Sequence, residues 1–218
     1  MTSEARRPES RIVPALAVLA LPPLLTFLPH RYQVVPPVVP IVAAAALAIP
    51  MLAAQFAPAN PLWTKLERWS TTIVLPLATC IQLVLLAFVL RDMARSSPGI
   101  NGLRLLTTSI AIWTTNILVF SLAYWQLDRG GPAGRMTGWK GRSDFSFPRG
   151  DPSDNLPDDW QPTFADYLFL AFNTSAAFSP TDVLPLTPRA KMLMMTQSVI
   201  SLVTVIAVGA RAINILGS

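Results

Sequence analysis

The sequence predicts an all-α integral membrane protein with about five transmembrane helices and one shorter, re-entrant half-helix. Three observations support this fold class. Of the 218 residues, 52% are hydrophobic and only 13% are charged, whereas a typical soluble domain carries about 25% charged residues. The apolar residues are gathered into stretches close to the roughly 20 residues that a helix needs to cross a bilayer. The Lys and Arg residues lie mostly between these stretches, as flanking anchors do.

Five apolar stretches predict spanning helices. They are residues 12–28, 38–56, 71–90, 105–127 and 190–216. The first follows Arg6, Arg7 and Arg11, which is the arrangement of a signal peptide. It contains Pro22 and Pro23, however, and no cleavage site of small residues follows it. We therefore expect this segment to be a retained helix.

A sixth apolar segment, residues 163–178, is too short to span a bilayer easily. It covers about 24 Å as a helix, because each residue adds about 1.5 Å. Thr163 and Asp166 have the spacing of a capping box, which marks a helix start. Pro180 ends this helix, because the residue before a proline is disfavoured in the helical region. These signals predict a half-helix followed by a sharp turn.

The turn after the half-helix leads directly into the last spanning helix. Thr187 is suited to cap that helix, and Pro188 is suited to its first position. The predicted order is therefore spanning helix, loop, half-helix, sharp return and spanning helix.

This order resembles the pore module of the tetrameric potassium-channel superfamily. The family pattern after the pore helix is roughly Thr-Val-Gly-Tyr-Gly-Asp, and here the matching positions include the filter-like residues Phe178, Ser179, Pro180, Thr181 and Asp182. The resemblance covers about half of the chain. It implies a homotetramer, small inorganic ions as partners, and a pore-type half-helix in a channel-like fold.

The whole chain also resembles small bacterial membrane proteins in which three helices precede such a module. The stretch "YWQLDRGGP" at residues 124–132 carries this second resemblance. It implies a location in the bacterial inner membrane and brings no activity with it.

Two domains follow from the resemblance. Residues 1–104 are expected to form an N-terminal three-helix membrane region, and residues 105–218 a pore-like module. The module divides into an outer helix at 105–127, an exposed and partly irregular loop at 128–162, a pore helix at 163–178, a filter-like turn at 179–187 and an inner helix at 188–216.

The filter-like residues depart from the family pattern in a way that bears on function. A potassium filter presents rings of backbone carbonyls, and glycines permit the dihedrals that aim them inward. Ser179 and Thr181 do not take positive φ cheaply, and Pro180 fixes φ near −65°. We expect a channel-like protein that is weakly selective for cations, through Asp182 and the hydroxyls, and not selective for potassium. The alternatives are a non-conducting scaffold or partner-binding membrane protein and, as a minor one, an anion channel.

Polar residues of the last helix recur on one face. Gln197, Ser201 and Thr204 are spaced i, i+4 and i+7, and Val208 continues the face. Two interpretations stay open: a pore-lining stripe, or hydrogen bonds between helices inside the membrane.

Other polar residues within the apolar segments favour packing roles. Asn173, Thr174 and Ser175 lie on the predicted pore helix, where they are placed to hold the filter-like turn by hydrogen bonds. Gln82 lies on the third stretch and Thr114, Thr115 and Asn116 lie on the fourth, and their predicted role is contact between helices.

The remaining composition disfavours other function classes. One Cys and one His exclude a disulfide within the chain and give no metal-ligand spacing. There is no nucleophile with a base and no Gly-rich phosphate loop, so we expect no enzyme, no cofactor and no bound metal. The net charge of +5 is explained by the flanking anchors and does not suggest nucleic acid, so membrane lipid is the expected surrounding.

The basic residues do not settle the orientation, because the short-loop counts tie on the two sides. If the module is oriented as in channels, the long loop and the N-terminus face the outside and the C-terminus faces the cytoplasm.

Overall fold

The computed structural model describes residues 9–26, 28, 32–57, 60–94, 102–148, 160–177 and 183–216. The helices are α1 Ile12–Thr26, α2 Val38–Phe56, α3 Pro61–Ala94, α4 Gly102–Leu127, α5 Gly131–Met136, α6 Phe164–Ala176 and α7 Pro188–Leu216. A pair of two-residue strands, β1 Phe145–Ser146 and β2 Leu184–Pro185, runs antiparallel. The prediction of an all-α membrane fold is confirmed at this level.

Among the described residues, four helical segments are long and apolar enough to cross a membrane. They are Val38–Phe56, Pro61–Met93, Leu106–Met136 and Pro188–Gly209. These segments are those of an integral membrane protein. The fifth predicted span, α1, is apolar but has only 15 residues, which is about 22 Å of helix.

α3 is much longer than the predicted segment 71–90, because it begins at Pro61 and has 34 residues. The prediction stopped where charged residues begin. The structure shows why the helix continues: the Arg11 Nε donates to Glu67 Oε2 at 3.0 Å, and both side chains are buried. Because the backbone N–H of Arg11 also donates to Gln55 Oε1 at 2.7 Å, the start of α1, the end of α2 and the start of α3 meet at one end of the bundle.

α4 is the central helix. It contacts α1, α3, α6 and α7, while α1 packs on α2 and α2 packs on α3. In an 18-residue apolar stretch of its spanning segment 61% of residues are buried, against 28–39% in the corresponding stretches of the other three. The main core cluster lies where α4 meets α6 and α7. It includes Phe120 and Trp125 of α4 and Tyr167 of α6. The arrangement gives α4 a different neighbour on nearly every side.

The capping signals that were read from the sequence are present. The backbone N–H and the hydroxyl of Thr163 both donate to Asp166 Oδ2, at 2.7 and 2.8 Å, and α6 begins at the next residue. Thr187 Oγ1 accepts from the backbone N–H of Ala190, and α7 begins at Pro188 as predicted. α6 ends at Ala176, two residues before the predicted boundary, and its 13 residues make about 20 Å.

The connection at 128–162 was predicted to be an exposed, partly irregular loop, and for its first part this is wrong. Asp128–Gly130 form a single 3₁₀ turn that leads into α5, and Asp128, Arg135 and Phe145 are buried. Gly131 has φ 75° and ψ −171°, a conformation that is essentially restricted to glycine. The chain can therefore turn sharply at this point and fold back over the end of α4.

Candidate functional site

Polar residues at the contacts of α6 with α4, with α7 and with the connection that follows α4 belong to two largely buried clusters. The first, which we call the Gln197 cluster, consists of Gln197, Tyr124, Asn116, Ser175 and Ser201. The Gln197 Nε2 donates to the Ala171 carbonyl at 2.7 Å and to Ser175 Oγ at 2.8 Å. The Tyr124 hydroxyl donates to Gln197 Oε1. One side chain of α7 is thus bonded to both α4 and α6.

The rest of the Gln197 cluster extends this connection. The Ser201 hydroxyl donates to the Ser175 carbonyl at 2.6 Å, close to the C-terminal end of α6. The Asn116 Nδ2 donates to the Gln197 carbonyl at 3.2 Å and to Ser175 Oγ at 3.4 Å. The end of α6 is therefore fixed against the interior of α7.

This geometry favours one of the two interpretations of the α7 polar face. Gln197 and Ser201 are 0% exposed and Thr204 is 2% exposed within a single chain, whereas Val208 is half-buried. Side chains as enclosed as the first three are poorly placed to line a pore between chains. The second interpretation, hydrogen bonding between helices, describes Gln197 and Ser201, while the Thr204 hydroxyl donates to the Ile200 carbonyl of its own helix.

The three pore-helix residues have different surroundings. Ser175 belongs to the Gln197 cluster. The Thr174 hydroxyl donates to the Leu170 carbonyl within α6. Asn173 is half-buried, and its Nδ2 has no hydrogen-bond partner among the described residues. Of the three residues, Asn173 is thus the one whose side chain has a donor without a partner among the described residues. This amide is available for a hydrogen bond to the segment that follows.

The second cluster, which we call the Asp128 cluster, consists of Asp128, Tyr167, Arg135, Asp144 and Glu9. Asp128 is 0% exposed. Its Oδ1 accepts from the backbone N–H groups of Asp144 at 2.8 Å and Phe145 at 3.2 Å. Its Oδ2 accepts from the Tyr167 hydroxyl at 2.7 Å. One carboxylate therefore connects α4, β1 and α6.

The guanidinium of Arg135 closes the Asp128 cluster on its other side. Arg135 Nη1 donates to the carbonyls of Trp125 and Asp128 at 2.9 and 2.8 Å. Its Nε donates to Glu9 Oε2 at 2.8 Å. Burial raises the pKa of the Tyr167 phenol well above its ordinary value, so this hydroxyl stays protonated and acts as a donor. Every hydrogen bond of the cluster thus has a donor and an acceptor of the required kind.

A further ion pair ties the turn before α7 to the loop. The Nε and Nη2 of Arg189 donate to the two oxygens of Asp144, both at 2.7 Å. The Thr187 hydroxyl donates to Asp144 Oδ1 at 2.5 Å. This bidentate pair holds the Arg189 guanidinium against Asp144.

The filter-like residues Phe178, Ser179, Pro180, Thr181 and Asp182 lie outside the described residues. Their two attachment points are described. Ala177 is exposed and follows the end of α6, where its N–H donates to the Asn173 carbonyl, and Val183 is buried and leads into β2 beside Asp144.

The Asp128 cluster was not predicted from the sequence. Its hydrogen-bonded partners are separated by 7 to 126 residues, so no single local spacing reveals it. One signal was present: Asp128 directly follows a spanning segment and precedes Gly130 and Gly131. An acid at that place, followed by glycines that permit a sharp turn, is consistent with a chain that folds back over a buried carboxylate.

The comparisons with known proteins identify no family for this chain. No family model matches the chain, and no curated protein or solved structure is similar to it. The function is therefore inferred from the geometry of the two clusters and from the surfaces that a single chain leaves exposed.

Proposed function

We propose that this chain is the subunit of a channel-type membrane protein, in which four copies surround an axis and pass small ions with weak selectivity for cations. The observation that carries the proposal is the course of α6 between α4 and α7.

α6 begins and ends at different depths of the bundle. At its first turn Tyr167 bonds to Asp128, which follows the end of α4. At its last turn Ser175 bonds to Gln197 and Ser201. Those two residues lie 9 and 13 positions after the start of α7, about 14 and 20 Å along the helix. The helix therefore runs from the Asp128 end into the middle of the module.

The chain then returns to the end from which α6 started. β2 pairs with β1 next to Asp144, and Asp144 is bonded to Asp128 on one side and to Arg189 on the other. A short helix that enters a bundle from one end, followed by a return to the same end, is the arrangement of a re-entrant pore segment. Such a segment is tolerated at membrane depth where it is enclosed by protein or lines a water-filled cavity.

α7 offers an unpartnered face for contact between copies. Its exposed face carries Met192, Met195, Val199, Leu202 and Ile206. These residues alternate spacings of three and four, which is the pattern of helices that pack side by side around an axis. A single pore segment does not enclose a pore, so closed symmetry is needed. In this proposal the exposed face of α7 approaches the axis, and the wall beyond the filter-like segment is apolar.

In this proposal the filter-like segment, residues 178–182, selects among ions. Its sequence supplies one carboxylate per chain, from Asp182, and hydroxyls from Ser179 and Thr181. Rings of acidic side chains favour cations. Such groups act on ions that keep much of their water, so discrimination between potassium and sodium is expected to be small.

Current through planar bilayers tests this proposal. With potassium on one side and sodium on the other, the reversal potential is expected near zero; under a potassium chloride gradient it should move toward the cation equilibrium value. Asp182→Asn should reduce this movement. Asp166→Asn, at the capped start of α6, is the matched control and should leave it unchanged.

Three results would overturn parts of the proposal. A reversal potential at the potassium equilibrium value in mixed salt would contradict the weak selectivity. Movement toward the chloride equilibrium value would support an anion channel. A monomeric mass in mild detergent would contradict the proposed tetramer.

A non-conducting scaffold is the second candidate function, and one observation favours it. Among the described residues, the buried polar side chains of α7 are bonded within the chain, and the exposed side chains of that helix between Met192 and Ile206 are apolar. A folded tetramer that carries no ionic current under any of the gradients above would establish this alternative.

A further inference from the structure

A groove lies between α1, α2, α3 and α4, in the half of the molecule that the proposed function does not use. Its volume is about 80 Å³. A single buried water needs roughly 10–15 Å³ on this measure, so the groove has room for a larger occupant. Its walls are built from aliphatic side chains such as Leu21, Val39, Leu47 and Val74. Water is poorly suited to such walls, and an apolar molecule fits them.

Two polar residues, Gln82 and Thr115, interrupt the aliphatic lining. Gln82 is 3% exposed and Thr115 is 5% exposed. The Gln82 Nε2 donates to the Ile112 carbonyl at 2.9 Å, which holds its carboxamide against α4. Thr115 lies three residues after Ile112, on the same side of that helix. Both side chains therefore meet the groove at one place.

Each of these two side chains has an oxygen without a hydrogen bond. Neither the Gln82 Oε1 nor the Thr115 Oγ1 has a partner among the described residues. An unmade bond of this kind costs about 1–3 kcal/mol, so polar groups in such places are normally satisfied. The carboxamide oxygen accepts only, whereas the threonine hydroxyl both donates and accepts. A ligand hydroxyl satisfies both, because it donates to Gln82 and accepts from Thr115.

The depth of the pair restricts the ligand further. Gln82 lies 12 residues before the end of α3 at Ala94, and Thr115 lies 12 residues before the end of α4 at Leu127. Both are thus about 18 Å inside their helices. Among the described residues, none of the side chains that line the groove is charged. A phosphate or other ionic head group would be unpaired at this depth, so a neutral molecule is required.

We propose that this groove binds a neutral, membrane-soluble alcohol, whose chain lies along the aliphatic walls and whose hydroxyl bonds to Gln82 and Thr115. The groove continues into a smaller cavity of about 20 Å³ that shares Leu25, Pro40 and Ile81 with it and that Gln33 borders. The chain of the alcohol extends in this direction. The terminal torsion of glutamine is broad, so a small rotation turns the Gln82 oxygen toward the ligand.

Competition with a photoreactive probe tests the proposal. The purified full chain in lipid nanodiscs is labelled with a diazirine-bearing dodecanol, and the labelled peptides are identified by mass spectrometry. Labelling is expected on the segments around Gln82 and Thr115 and should be saturable. Unlabelled dodecanol should compete about tenfold better than dodecyl methyl ether or dodecane, since a single hydrogen bond of about 1.4 kcal/mol corresponds to that factor.

A pair of matched variants tests the hydroxyl contact directly. Thr115→Val keeps the shape of the side chain and removes its hydroxyl. It should weaken dodecanol binding about tenfold and leave the affinity for dodecane unchanged. Thr79→Val is the control, because the Thr79 hydroxyl donates within α3 to the Leu75 carbonyl and does not line the groove. Equal competition by alcohol, ether and alkane, labelling elsewhere, or equal binding by the two variants would overturn the proposal. The wild-type competition decides the matter even if a variant fails to fold.

Discussion

Asp128→Ala is expected to lower the free energy of unfolding by about 4 kcal/mol. This is the size of the effect when one partner of a buried ion pair is removed. The substitution leaves two backbone N–H groups and the Tyr167 hydroxyl without an acceptor. Each such orphaned donor costs about 1–3 kcal/mol. Titration of the purified protein from mild detergent into denaturing detergent, followed by tryptophan fluorescence, measures the change.

Graded variants keep this prediction testable if Asp128→Ala does not fold. Tyr167→Phe removes one of the three bonds to the carboxylate and should cost about 1.5 kcal/mol. Asp166→Ala is a matched control in the same region, where loss of the helix cap should cost about 1 kcal/mol. If Asp128→Ala costs no more than Asp166→Ala, the carboxylate of Asp128 does not organise this end of the molecule.

Element boundaries were predictable where the signal is local. The bounds of α2 and α7 agree with the sequence-based segments 38–56 and 188–216, because an apolar run, a capping Thr187 and a first-turn Pro188 are all read within a few residues. The start of α6 was predictable for the same reason. The start of α3 was not, since Glu67, the buried charged residue of its first turns, is paired with Arg11, 56 residues away.

The contacts of the candidate site were predictable only in part. Periodicity identified Gln197, Ser201 and Thr204 as one face of a helix, and this is how they lie. It did not reveal what the face meets, because a polar stripe in a membrane serves a pore wall and a neighbouring helix equally well. The choice between these depends on α6, whose position relative to α7 is set by packing and not by spacing. The Asp128 cluster depends on contacts distant in the sequence and was missed altogether.

The buried position of Gln197 can be tested by removing its hydrogen bonds while keeping its size. Gln197→Met is expected to lower the free energy of unfolding by about 2 kcal/mol. Three bonds are lost, to Tyr124, Ala171 and Ser175, and bonds between helices in membranes average about 0.6 kcal/mol each. Thr196→Val, one residue earlier, is the control. Its hydroxyl donates within α7 to Met192, so the unfolding free energy should change little.

A double-mutant cycle makes this last prediction specific to one contact. Tyr124→Phe removes only the hydroxyl that donates to Gln197 Oε1. If that bond exists, the double variant with Gln197→Met should be less destabilised than the sum of the two single variants, by about 0.5–1.5 kcal/mol. A pore-lining Gln197 predicts the opposite pattern: an unchanged unfolding free energy, additive variants and an altered single-channel conductance. Because stability and conductance are measured separately, the two interpretations of this helix face are distinguished whichever result is obtained.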